Sequence, residues 1–254
     1  MELITKAGIK FYGASMIAMG IQQLFYADFL MVFSPSWELP GQFFITKIFA
    51  LLLVACGVLI VIGQKAKTAS LVLGGVLLML TVLSHVPYQL FISKYNTQLF
   101  SWTQALKALA LSGGAFVAST FFHDNPPPLV LRLEAIVPAG RIFFCITMVM
   151  FGVAHFLYAD AVATLVPAWI PYNMFWTYFA AVALIGSGLS IIFEIKLKLI
   201  GMLLGIMIFL WFIMLHIPRA IADPLGNKGN ELTSALQALG FSGIAFLIAS
   251  QKKK

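Results

Sequence analysis

The chain has 254 residues, of which 61% belong to the apolar set AVILMFWYC and 10% are charged, and its mean hydropathy is +0.97. Soluble globular domains are closer to half apolar and a quarter charged, so this composition argues against a soluble enzyme, a disordered chain and a nucleic-acid-binding domain. The formal net charge is +7, and most of the cations fall between apolar stretches. We therefore expect an all-α, polytopic membrane protein that sits in a lipid bilayer and has no nucleic-acid partner.

The apolar stretches have the length of membrane-spanning helices, which need about 20 mainly apolar residues. Eight stretches qualify, at residues 8–27, 41–63, 68–93, 101–122, 140–159, 172–194, 198–219 and 231–250. Proline, glycine, asparagine and serine fall between them, which supports these divisions. The first stretch is long and has no A-x-A site after it, so we interpret it as a permanent helix and not as a cleaved signal peptide.

The basic residues are distributed unequally between the two sides of the predicted spans. One side has eleven of them: Lys6, Lys10, Lys65, Lys67, Arg132, Arg141, Lys196, Lys198, Lys252, Lys253 and Lys254. The other side has Lys94, Arg219 and Lys228. Short cytoplasmic loops carry the excess of Lys and Arg, so this bias predicts that both termini are cytoplasmic.

The sequence contains an internal repeat. His85-Val-Pro recurs as His216-Ile-Pro, and residues 103–116 match residues 233–246 at nine of fourteen positions. A tandem duplication explains these matches, and it predicts eight transmembrane helices as two parallel four-helix repeats. The predicted division is a first unit at 1–122, an interfacial linker at 123–140 that only connects, and a second unit with a basic cytoplasmic tail at 141–254.

Polar and ionisable side chains inside the spans are few, and they collect toward the predicted outer face. Such groups are costly in a bilayer and are therefore functional candidates. They predict an outward-facing, histidine-lined pocket. The catalytic candidates are His85, His216, His155 and Lys107, and the candidates for binding a cofactor are His85, His216, Gln104 and Gln23.

His85 and His216 each precede a proline by two residues, and that proline frees a backbone carbonyl one turn back in the helix. Three roles stay open for the two imidazoles: a hydrogen bond to the freed carbonyl, proton transfer or hydrogen bonding to a quinone-like carbonyl, and metal or haem ligation together with His155. No close ligand spacing supports the third role, so no metal site is predicted. Lys107 matches Gln237 in the repeat, which indicates that the two units have diverged in chemistry.

Other charged residues have simpler interpretations. Lys47 either extends toward the outer interface or pairs with Glu38 or Asp28. Arg219 is expected to pair with Asp223, one turn away. The two cysteines, Cys56 and Cys145, are far apart in the sequence, which argues against a thiol–disulfide relay.

Each four-span unit resembles the DoxX family of small membrane proteins. The resemblance rests on the segments starting at Gly20 and Gly152, on Gly57 and Gly188, and on the patterns 105–114 and 235–243, and it covers residues 10–119 and 141–250. It implies a bacterial inner-membrane protein whose relatives include a quinone-linked thiosulfate oxidoreductase subunit and methylamine-utilisation accessory proteins.

Three functions are therefore open. The first is a redox-linked membrane subunit that interacts with a quinone in the histidine-lined pocket. The second is a non-catalytic accessory or scaffolding partner of another membrane or periplasmic protein. The third is a small-molecule transporter, against which the scarcity of polar groups at mid-depth argues.

Overall fold

The computed structural model describes residues 2–35 and 41–251, and the regular structure in these residues is helical throughout. The first half of the chain contains α1 to α4, and the second half contains α5 to α9. The helices are α1 Glu2–Tyr26, α2 Gln42–Ile62, α3 Ala66–Phe91, α4 Thr103–Ser119, α5 Pro128–Leu157, α6 Ala159–Ala163, α7 Asn173–Ile192, α8 Leu197–Ala222 and α9 Gly226–Ser250.

Among the described residues, six helices are long and apolar enough to cross a membrane, namely α2, α3, α5, α7, α8 and α9. The helix α1 is outside this set and carries Lys6, Lys10 and two adjacent glutamines. The helix α4 is also outside it, with 17 residues that include Gln104 and Lys107. The predicted all-helical class and the membrane-embedded character are confirmed, and the count of eight crossing helices stays a prediction.

The helices α1, α4, α5 and α9 lie at the centre of the bundle. The helix α1 packs against α2 and α9, and the helix α5 packs against α4 and α7. At the periphery, α3 packs against α4, and α8 packs against α9. The peripheral helices present large apolar side chains outward, including Phe44, Leu83, Val182 and Leu203. An apolar outer surface of this kind is suited to lipid, because a bilayer imposes no cost on exposed hydrocarbon.

Glycine pairs bring the central helices of the two halves into backbone contact. A Cβ atom added at Gly8 in α1 would lie 2.9 Å from the Gly243 carbonyl oxygen in α9. A Cβ atom added at Gly140 in α5 would lie 2.8 Å from the Gly113 carbonyl oxygen in α4. Membrane helices associate through such close approaches at small residues. The two halves therefore contact each other at two glycine pairs, one between α1 and α9 and one between α4 and α5.

Two further features occur once in each half. Ser112 Oγ donates a hydrogen bond to the Gly74 carbonyl, and Ser242 Oγ donates one to the Gly205 carbonyl, each at 2.8 Å. The helices α3 and α8 each contain one π-helical turn, at Thr81–His85 and at Phe212–His216. A π-helical turn widens the helix by one residue and is frequent at functional sites.

Asp124, in the segment between the halves, holds the start of α3. Its Oδ1 accepts a hydrogen bond from the Lys67 N–H at 2.7 Å, and its Oδ2 accepts from the Thr68 N–H at 3.1 Å and from Thr68 Oγ1 at 2.7 Å. Partial burial raises the pKa of Asp124, but these hydrogen bonds outweigh burial and hold the pKa below its ordinary value. The linker was expected only to connect, and Asp124 shows that it also caps a helix.

Replacing Asp124 by alanine is expected to lower the free energy of unfolding by about 1–2 kcal/mol, as loss of a helix N-cap does. Because the pKa of Asp124 is depressed in the folded chain, its contribution is present above pH about 4 and is lost as the pH falls through the folded-state pKa. Thermal unfolding in detergent at neutral and acidic pH measures both effects. The exposed Asp160 provides the control, and an equal loss in Asp160→Ala would contradict the capping role.

Candidate functional site

The second half contains a cavity of about 670 Å³. It is enclosed by α5, α6, α7, α8 and α9, and the beginning of α4 closes one side. Most of its wall is apolar and aromatic, with Phe151, Trp176, Trp211 and Phe241 among the lining residues. Ligand sites are usually concave, mainly apolar and between about 300 and 1,000 Å³ in volume. The cavity therefore has the size and the lining of a small-molecule site.

A group of polar side chains meets on this apolar wall. The group consists of Lys107, His155, His216, Arg219, Glu231 and Gln237. Gln237 is 2% exposed, and neither its amide nitrogen nor its amide oxygen has a hydrogen-bond partner among the described residues. His216 Nδ1 is enclosed and likewise lacks a partner there. Buried polar groups are normally paired, since leaving one unpaired costs about 1–3 kcal/mol, so these atoms are ones that water or a bound ligand would pair with.

The cavity offers hydrogen-bond acceptors as well as donors. His155 Nδ1 lies 2.7 Å from the Phe151 carbonyl oxygen, and because a carbonyl only accepts, Nδ1 carries the proton. A neutral His155 therefore has an unprotonated Nε2, which accepts. Lys107 brings an ammonium group, a pure donor, from α4 to this wall. The same wall can thus bind both a carbonyl and a hydroxyl group.

Arg219 and Glu231 form a two-point ion pair that ties α8 to α9 beside the cavity. Arg219 Nε lies 2.9 Å from Glu231 Oε2, and Arg219 Nη2 lies 2.7 Å from Glu231 Oε1. The prediction that Arg219 pairs with Asp223 is wrong, because Arg219 pairs with Glu231. Asp223 Oδ1 instead accepts a hydrogen bond from the Gly226 N–H at 2.9 Å. The bidentate geometry fixes both side chains at the wall.

His85 and Gln23 do not line this cavity. His85 is 1% exposed, and its Nε2 lies 3.0 Å from the Val32 carbonyl oxygen. Gln23 Nε2 donates to the Thr46 carbonyl at 3.0 Å, and Gln23 Oε1 accepts from the Leu30 N–H at 3.4 Å. Both side chains hold a short segment between α1 and α2, residues 30–33, which we call the plug segment.

The plug segment fills the interior of the first half. Leu30, Val32 and Phe33 are each at most 3% exposed. The Phe33 ring centroid lies 5.0 Å from that of Phe49 in α2, with the rings edge to face. In the repeat predicted from the sequence, Phe49 aligns with Ala180 in α7, which lines the cavity. The aligned positions thus have a large side chain that packs against the plug segment in one half and a small side chain that lines the cavity in the other.

Gln104 lies at a second cavity, of about 580 Å³, beside residues 28–35 and the start of α9. The predicted candidates therefore separate into three places: His155, His216 and Lys107 meet at the larger cavity, Gln104 lies at the second, and His85 and Gln23 hold the plug segment. Glu231 and Ala180, which also line the larger cavity, were not among the predicted site residues. The only signal for Ala180 was its alignment with Phe49 in the repeat.

Asp28 connects the loop after α1 to the start of α9. It pairs with Lys228 and accepts hydrogen bonds from Gln42 Nε2 at 2.6 Å and from the Phe29 N–H at 2.7 Å. Partial burial raises the pKa of Asp28, but the bonds from Lys228, Phe29 and Gln42 together lower it below its ordinary value. Asp28 therefore does not pair with Lys47, whose Nζ lies 3.8 Å from the centroid of the Phe43 ring. The other expected partner, Glu38, lies outside the described residues.

The helices define an all-helical integral membrane protein, and the second half of the chain contains an internal cavity. No protein-family model, curated protein or solved structure matches the chain. The resemblance to the DoxX family accordingly stays a prediction that rests on the short sequence patterns.

Proposed function

We propose that this protein binds a membrane-soluble quinone in the second-half cavity and acts as a redox-linked membrane subunit. The observation that carries the proposal is the convergence of Gln237, whose buried amide atoms lack partners among the described residues, with His216 and Lys107 on an otherwise apolar wall. A quinone head group has an apolar ring and carbonyl oxygens, which these three side chains can bind as donors. Trp176 and Trp211 supply flat aromatic surface for the ring.

The mixture of donors and acceptors favours a molecule that exists in two redox forms. The oxidised ring presents carbonyl oxygens, which accept hydrogen bonds, and the reduced ring presents hydroxyl groups, which also donate them. His155 Nε2, Gln237 Oε1 and the Glu231 carboxylate are acceptors at the same wall as the donors. A ligand without a polar head would leave the Gln237 amide unpaired.

We also propose a finer architecture. The chain consists of two DoxX-like units, at 1–122 and 141–254, whose eight helices cross a bacterial inner membrane with both termini cytoplasmic. Support comes from the glycine pairs, serine hydrogen bonds and π-helical turns that occur once in each half, and from the unequal distribution of basic residues. In this arrangement the cavity opens toward the extracytoplasmic side.

Native mass spectrometry of the protein released gently from its own membrane tests the proposed function. We expect one added mass that corresponds to a quinone. A bare chain that also fails to bind an added alkyl benzoquinone would overturn the proposal. A chain bound to another polypeptide and to no quinone would overturn it in favour of an accessory role.

A lysine variant gives a quantitative test. Lys107→Met is expected to weaken binding of an alkyl benzoquinone at least about tenfold, because a hydrogen bond from a charged donor contributes about 1.5–3 kcal/mol. Quenching of the cavity tryptophans during a titration measures the affinity. Lys94→Met is the matched control, since Lys94 is exposed and does not line the cavity. Equal affinities for the two variants would exclude Lys107 from the site.

A further inference from the structure

His85 and His216 have the same local setting. Each is the last residue of a π-helical turn, and each precedes a proline by two residues. The two histidines differ in what their imidazoles meet. His85 Nε2 lies 3.0 Å from the Val32 carbonyl oxygen. For His216, the structure shows no hydrogen bond to any of the residues that it describes, 2–35 and 41–251.

The carbonyl oxygen that lies next to His85 Nε2 belongs to Val32, in the plug segment. Since a carbonyl oxygen only accepts, His85 Nε2 is the protonated nitrogen and donates. The plug segment lies against Phe49 and places an apolar body beside this polar contact. The first half therefore contains an internal example of what such a histidine binds: an apolar group with a carbonyl oxygen.

In the second half, the structure shows no hydrogen bond between His216 and the segment that follows α5, residues 158–172. The segment after α5 forms the short helix α6, and Ala161 and Val162 of this helix line the cavity wall. Ala180 stands where the first half has Phe49. The cavity beside His216 is consequently open to a ligand of similar chemistry.

We infer that a ligand carbonyl oxygen accepts a hydrogen bond from His216 Nε2, as the Val32 carbonyl oxygen does from His85 Nε2. One ligand binds in this way per chain, because His85 Nε2 is already bonded to Val32. This inference rests on the proposed function and adds the contact atom and the stoichiometry to it. The protonation state is consistent with the surroundings: His216 Nδ1 is enclosed without a partner among the described residues, and an unpaired buried acceptor is tolerated better than an unpaired buried N–H.

Infrared difference spectroscopy with an alkyl benzoquinone labelled with ¹³C at its carbonyl carbons tests the contact. A hydrogen bond lowers the carbonyl stretching frequency, so we expect a lowered band in the wild-type protein in lipid nanodiscs. The lowered band should persist in His216→Gln, which keeps an N–H donor, and should disappear in His216→Leu. Affinity in His216→Leu should fall about tenfold, the effect of losing one buried hydrogen bond. His123→Leu is the control, because His123 is exposed and is not among the residues that line the cavity.

The outcomes separate the inference from the proposed function. A quinone that binds with the same lowered band in His216→Leu, or with two equivalents per chain, would overturn the inference and leave the proposed function standing. A wild-type protein that binds no quinone would overturn both. Thermal unfolding of each variant shows whether a lost band reflects a lost contact or a lost fold, and His216→Gln decides the matter if His216→Leu does not fold.

Discussion

An Ala180→Phe variant is expected to lose quinone binding about 100-fold or more while it keeps the fold of the wild-type protein. Ala180 is buried and lines the cavity, so a phenylalanine ring there would enter the space that the ligand needs. Phe49 shows the result in the first half, where its ring packs against Phe33 and the interior is filled. Overpacking by a ring costs up to about 3 kcal/mol, and about 2.8 kcal/mol corresponds to a 100-fold loss of affinity.

The control for this variant is Val182→Phe on the same helix. Val182 is 62% exposed and faces outward, so an added ring there should not change binding. Tryptophan quenching and native mass spectrometry measure the affinity and the bound mass of both variants. An Ala180→Phe protein that retains its quinone would show that the ligand binds elsewhere.

The largest loss of stability is expected for Gly113→Ala. The added Cβ would overlap the Gly140 carbonyl oxygen and would lie 3.0 Å from Phe143 Cβ, so the backbones of α4 and α5 would have to separate. Overpacking of a close helix contact costs about 3 kcal/mol, more than the roughly 1 kcal/mol that alanine gains over glycine in a helix. The expected result is a marked fall in Tm in detergent.

Gly186→Ala provides a matched control within the same fold. A Cβ added at Gly186 in α7 meets no atom within 4 Å, so only the gain in helix propensity should remain. This variant is expected to be as stable as the wild-type protein or slightly more stable. Similar Tm values for Gly113→Ala and Gly186→Ala would contradict the backbone contact between the halves.

Much of the helical architecture was predictable because a helix that crosses a bilayer needs about 20 mainly apolar residues, which are visible in the sequence. The eight predicted stretches each fall on a helix of the structure, and six of those helices have the length and apolarity to cross a membrane. The prediction of helix positions required only local hydropathy. Ends were less accurate where polar contacts decide them, as at α3, whose start Asp124 fixes from another part of the chain.

The candidate site was predictable only in part. The sequence singled out His155, His216 and Lys107, which meet at the cavity, because ionisable residues are rare in spans. It treated His85 and His216 as equivalent, since both precede a proline in the repeat. Local patterns could not reveal that residues 30–33 would fill one half, because that difference depends on contacts between Phe33 and Phe49.

The partner of Arg219 also depends on contacts between helices, which is why the predicted Arg219–Asp223 pair was wrong. Asp223 is near Arg219 in sequence, but Glu231 faces it across the turn between α8 and α9. The Asp28–Lys228 pair likewise joins residues 200 positions apart. Such pairs follow from how helices pack, and the spacing of charges along the chain does not contain that information.

Lys107 reaches the cavity from α4, together with Thr103 and with Phe100 just before this helix, whereas most of the cavity wall is built from α5 to α9. An assembly of two identical four-helix chains would have to carry the same residue at both corresponding positions, either two lysines or two glutamines. A single covalent chain is free of that restriction, so it can pair Lys107 with Gln237 and Phe49 with Ala180. If the chain is the fused pair of units that we propose, fusion would permit the two units to differ at aligned positions of this kind.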